Sequence, residues 1–112
     1  MASIGIGDST AWVMSGWAFR TVLGRLLPEL PDAEDRAKVT QSLAIGGLEF
    51  PLLPPAQRER IAHSLLKVTK DMRAEILSMP NLPELDNEFA AALATLAIQL
   101  REITDARRIG DL

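Results

Sequence analysis

Residues 55–79 read PAQRERIAHSLLKVTKDMRAEILSM, and this stretch decides the fold class. Ile61, Leu65, Val68, Met72, Ile76 and Met79 recur in steps of three and four, which stacks them along one face of a helix. The seam is narrow and suited to shallow-angle packing against neighbouring helices. Leu66 and Leu77 widen it on one flank, while Arg60, His63, Lys67 and Lys70 project from the opposite side. Proline is tolerated in the first turn of a helix and breaks its interior, so a start at Pro54 or Pro55 and a stop at Pro80 are expected.

Downstream, residues 81–85 make a short connector, after which Asp86 or Asn87 can cap a further helix over 86–107 with Glu88 in its first turn. Phe89, Leu93, Leu96, Leu100 and Ile103 form its main stripe. From Phe89 to Ile98 no residue is charged and only Thr95 is polar. Ala91, Ala94 and Ile98 thus make the back of this helix apolar too. A helix apolar all round is buried on several sides, so it is expected at the centre of a bundle or in a subunit interface.

Upstream lies Leu48 to Pro55, Leu-Glu-Phe-Pro-Leu-Leu-Pro-Pro, whose prolines forbid a regular helix and whose large side chains argue against an exposed loop. It reads as an extended strap with Leu48, Phe50, Leu52 and Leu53 plugging the end of the bundle, or alternatively as a docking segment. Before it, Asp32 is a plausible cap for a helix over 32–46, with Glu34 and Asp35 complementing the positive end of the helix dipole and Gly46-Gly47 ending it. Its apolar face is modest. The first helix is expected over 9–27, started by Asp8, Ser9 or Thr10 and ended by Pro28, with Trp12, Phe19, Leu23 and Leu26 as its core stripe. Val13 and Trp17 lie off that stripe. No stretch shows the sustained alternation of a half-buried strand, so the expected fold is all-α: a single domain over residues 1–112, a compact bundle of about four helices with an extended Pro-rich apolar connection between the second and third.

At 112 residues, 47% hydrophobic and 24% charged, the chain has the balance of one ordinary globular domain. The absence of cysteine excludes disulfides, thiolate metal sites and thiol nucleophiles, and makes a reducing cytoplasm the expected location. A net charge of −3 gives no overall attraction to nucleic acid or anionic membrane. Ala11 to Leu27 is apolar enough to suggest a signal or spanning segment, but Asp8 precedes it and Arg20 and Arg25 interrupt it, so neither is expected.

The inventory for chemistry is thin. His63 is the single imidazole, and its position opposite the seam beside Arg60 and Lys67 is that of a solvated side chain rather than a metal ligand. Asp32, Glu34 and Asp35 are explained by the helix start they occupy. No phosphate loop, dinucleotide fingerprint or EF-hand spacing is present. The basic face of residues 54–79, with Arg58 and Arg73 on its flanks, carries five basic against three acidic residues, a pattern that ion pairs on a solvated helix also produce. No catalytic residue, metal site or cofactor is therefore assigned, and an enzyme is not expected.

Three readings remain. The first is a protein-interaction module for one partner; in size, charge and helicity the chain is similar to bacterial immunity proteins, antitoxins and adaptors, without a motif that identifies a family. Its partner-binding candidates are the apolar residues beyond what the core needs: Val13, Trp17, Phe50, Leu52, Leu53, Ala91, Ala94 and Ile98. The second is a homodimer or larger assembly, with Ala90, Ala91, Ala94 and Ala97 permitting close helix approach. The third is a bundle that holds an apolar ligand between its helices.

Overall fold

The computed structural model describes residues 2–7, 11–78 and 84–110, with side chains from 87 to 104 in the last stretch. Two four-residue strands open it, β1 (Ala2–Gly5) and β2 (Ala11–Met14), followed by helices α1 (Gly16–Leu26) and α2 (Ala33–Ile45). A third strand, β3 (Gly47–Glu49), leads through a 3-10 turn at Phe50–Leu52 into the long helices α3 (Pro55–Leu77) and α4 (Glu84–Gly110). The protein is thus mostly helical, as its periodicities require, but not all-α. A three-stranded sheet of order β2-β1-β3 stands beside the helices, β1 antiparallel to β2 and parallel to β3.

The sheet corrects the reading of both ends of the N-terminal half. Residues 11–14, expected as the first turn of a helix, pair as a strand with Ile4 opposite Trp12 and Ala2 opposite Met14. Side chains on a strand alternate between faces, and here Trp12, Ile4 and Leu48 make one inward row, at 3%, 0% and 0% exposure. Trp12 met the helical spacing because a strand residue just before a helix can face the same core as that helix's stripe. The cap of α1 is Ser15, whose hydroxyl accepts from the amide of Ala18 at 3.3 Å; the expected caps Asp8, Ser9 and Thr10 lie outside the described residues. Pro28 sits within a 3-10 turn, Leu27–Glu29, that follows the end of α1 at Leu26.

Helix α2 starts as expected, with Asp32 accepting from the amide of Glu34 at 3.1 Å. It ends at Gly46, whose φ of 77° is a left-handed conformation that side chains with a Cβ rarely adopt. That turn delivers the chain to β3, and the amide of Ser3 donates to the carbonyl of Gly46 at 3.2 Å. The strap is therefore half strand, half 3-10 turn. Leu48, Phe50 and Leu53 are buried by it, but Leu52, expected to plug the core with them, is 80% exposed. The amide of Leu53 donates to the carbonyl of Phe50 at 3.0 Å, which closes the turn with Phe50 and Leu53 both inward and leaves Pro51 and Leu52 on its outer side.

In α3 the expected seam is the buried face: Ile61, Leu65, Val68, Met72 and Ile76. Met79 and Pro80 lie outside the described residues. Leu77, expected to widen the seam, is half exposed. Helix α4 packs along α3 and against β2, burying Phe89, Leu93, Leu96 and Leu100, with Trp12 Nε1 donating to the carbonyl of Ala92 at 2.9 Å. It is not the central helix. Ala91, Thr95 and Ile98 face outward because neighbours cover one side of α4 only. It also begins at Glu84 and runs to Gly110, longer at each end than expected. The Cα radius of gyration, 13.8 Å, matches the roughly 13 Å of a compact chain of this length.

Three cross-links tie the helices to one another and to the strap. Arg25 of α1 forms a two-armed pair with Glu75 of α3, one bond at 2.7 Å. Arg58 donates to the carbonyls of Phe50, Pro51 and Leu53 and so holds the strap. Arg60 donates two bonds of 3.0 Å to Asp35 of α2, whose carboxylate is 1% exposed. Asp35 is therefore an inward-facing partner of α3 and not merely a complement to the α2 dipole.

Hydrogen bonds from Arg60 hold the Asp35 carboxyl below its ordinary pKa; burial opposes them, and Gln57 acts in the same direction as Arg60. The folded state therefore takes up this proton less readily than the unfolded chain, where an aspartate titrates near ~3.9. The pair contributes stability above that pH and loses it as pH falls through the lower folded value. Melts followed by circular dichroism should show the thermal midpoint falling as pH drops below about 4, with Asp35→Asn flattening that limb. An unchanged limb in the variant would mean that Asp35 does not couple folding to protons.

Candidate interaction groove

The fold divides the basic face of α3 into cations already engaged and cations left over. Arg58 and Arg60 are spent on the strap and on Asp35, and Lys67 lies 3.8 Å from Glu29 and 3.5 Å from Asp71. Lys70 and Arg73 form no ion pair with a described carboxylate. They sit about two turns and one turn, respectively, short of the α3 C-terminus, on the side that α4 packs along.

There the two helices enclose an open groove of about 280 Å³, lined by Lys70, Arg73 and Ala74 of α3 and by Ala94, Ala97, Ile98 and Arg101 of α4. Residues three, four and seven apart share a helix face, so each helix contributes one coherent wall. The alanines form the floor because a methyl group leaves space between helix backbones where a larger side chain would fill it. Ile98, 62% exposed, stands as an apolar wall. Three cations rim this floor and, among the described residues, no carboxylate lines it, in a chain whose net charge is −3. Like charges so placed favour an anion, with an attraction that salt screens because the rim is exposed to solvent.

Two of the apolar residues singled out in the sequence, Ala94 and Ile98, meet in this groove; Ala91 is exposed on α4 but does not line it. The others are scattered. Val13 points outward from β2 and is half exposed. Trp17 is also half exposed, its ring tilted 60° against Phe89 with centroids 5.1 Å apart. Phe50 and Leu53 are core residues, whereas Leu52 stands in solvent. Arg101 was not singled out at all. Its signal is its place three residues beyond Ile98 and seven beyond Ala94, which puts it on the same helix face.

The groove holds guanidinium, ammonium and methyl groups, an inventory for recognition. His63 is exposed, 3.7 Å from Glu59. Among the described residues no cluster of three or more His, Asp or Glu is arranged to hold a metal ion, and no helix is long and apolar enough to cross a membrane. The chain matches no family model, no curated protein and no solved structure.

Proposed function

We propose that the protein is a binding module, not an enzyme, and that its α3–α4 groove takes an acidic, amphipathic segment of a protein partner. The observation that carries this reading is the set of unengaged cations, Lys70, Arg73 and Arg101, around an apolar floor. Apolar side chains of the segment fill the trough between the helices, and its carboxylates meet the rim. Charge of one sign around such a patch steers encounter and selects partners more than it adds affinity. The cysteine-free composition suits work in a reducing cytoplasm.

A synthetic amphipathic peptide, with Leu on one face and Glu along its flanks, is the probe. Titrated into labelled protein, it should shift amide NMR signals of residues 70–74 and 94–101 first, and its affinity should fall as salt shortens the range of charge interactions. The double variant Arg73→Glu, Arg101→Glu should bind roughly tenfold more weakly. Lys67→Glu, which alters a cation already paired, should bind like the wild type. Equal affinity for the peptide in the double variant would remove the groove from consideration.

A further inference from the structure

The walls of the groove go on past the pocket toward the connection between the two helices, and they change character on the way. Leu77 lies three, four and seven residues beyond Ala74, Arg73 and Lys70, on the same face of α3, and is half exposed. Ala91, also exposed, lies three and seven residues before Ala94 and Ile98 on α4. The connection, residues 78–83, is short, so α3 and α4 run antiparallel and Leu77 and Ala91 belong to the same end. Neither carries charge, whereas Arg101 and Lys70 stand toward the other end and Arg73 between. The trough is thus apolar near the connection and cationic about 10 Å away, the rise of seven helical residues.

The backbone of the floor decides which conformation the trough accepts. Over residues 70–74 and 94–101 each carbonyl already accepts an amide one turn on; the last of these on α3, Ala74, accepts from Ser78 at 3.1 Å. An extended segment laid there would find no backbone partner, and would press its own amides and carbonyls unpaired against the floor. A helix brings its backbone already bonded and lays side chains into the trough at spacings of three and four. Its direction follows from charge. The C-terminal end of a helix carries partial negative charge on its free carbonyls, and Arg101 and Lys70 are the donors that meet it. We propose that the occupant is a partner helix of about three turns, parallel to α4 and antiparallel to α3, with its apolar residues ahead of its carboxylates in sequence. This rests on the groove being the binding site, and it adds the conformation and polarity of what binds.

Three synthetic peptides with the same Leu and Glu content test it on the full chain. The first is a helix of about 14 residues, stapled on its outer face because so short a helix is marginal in water, with Leu along its inner face and Glu in its last turn. The second carries two prolines in place of the staple and cannot form the helix. The third is stapled but has Glu in its first turn and Leu after. The first should bind roughly tenfold more tightly than the second and about threefold more tightly than the third, the advantage of a matched dipole. A nitroxide at its C-terminus should broaden the amide signals of Lys70 and Arg101, and one at its N-terminus those of Leu77 and Ala91. Leu77→Ser, beyond the pocket itself, should weaken it roughly fivefold with an unchanged circular dichroism spectrum. Equal binding of the stapled and proline peptides, the opposite pattern of broadening, or full affinity in Leu77→Ser overturns the proposal. If shifts still fall on residues 70–74 and 94–101 in that case, the groove reading survives; if no peptide shifts them, both fall.

Discussion

Trp12→Ala is expected to cost about 3–5 kcal/mol of folding stability, the range for truncating a large buried aromatic. Trp12 is 3% exposed and sits in the inward row of the sheet, between Ile4 and the face of α4. Its indole N–H also donates to the carbonyl of Ala92, so one residue joins the N-terminal sheet to the last helix. Domains of this size have total stabilities of roughly 5–15 kcal/mol, and the substitution thus removes a large share. Urea denaturation followed by circular dichroism measures it. Trp12→Phe separates the two contributions, keeping most of the packing and losing the hydrogen bond, worth about 0.5–1.5 kcal/mol. A loss under about 1 kcal/mol for the alanine variant would mean that sheet and helix do not depend on one another as described.

Leu96→Ala should cost about 2–5 kcal/mol. The side chain is fully buried where α4 meets the rest of the core, and α4 cannot collapse into the space because α3 and β2 fix its position. Two residues along, Ile98→Ala should change stability by no more than about 0.5 kcal/mol, since that side chain is 62% exposed. The contrast between the two, measured in the same denaturant experiment, reads out which face of α4 is inside. Similar losses at both positions would show Ile98 to be covered, as a strong self-association would make it.

How far each element was legible depends on its length. The seam of α3 repeats over about four turns, and the stripe of α4 over a comparable run, so chance agreement is small and both were read with their buried residues. The strands span four, four and three residues. Over so short a span Ala-Trp-Val-Met fits a helix as well as a strand, and Ala2, Ile4 and Ile6 show only three alternations. What makes these segments strands is pairing with one another, and β3 comes from more than 30 residues further along the chain. Leu52 was misplaced for a related reason. Apolarity says that a strap should be buried, but a turn closed between Phe50 and Leu53 carries the residues between them on its outer side.

The residues by themselves determine that this chain is a mostly helical protein, that α3 starts at its proline, and which stripe of each long helix turns inward, because prolines and periodicity are local properties. Only the tertiary structure decided which charges are spent. Whether Arg60 finds Asp35 and Arg25 finds Glu75, while Lys70, Arg73 and Arg101 find no described carboxylate, depends on which helix lies beside which. The groove exists for the same reason: its cations are contributed by two helices and its apolar floor by both, and neither helix carries the site alone.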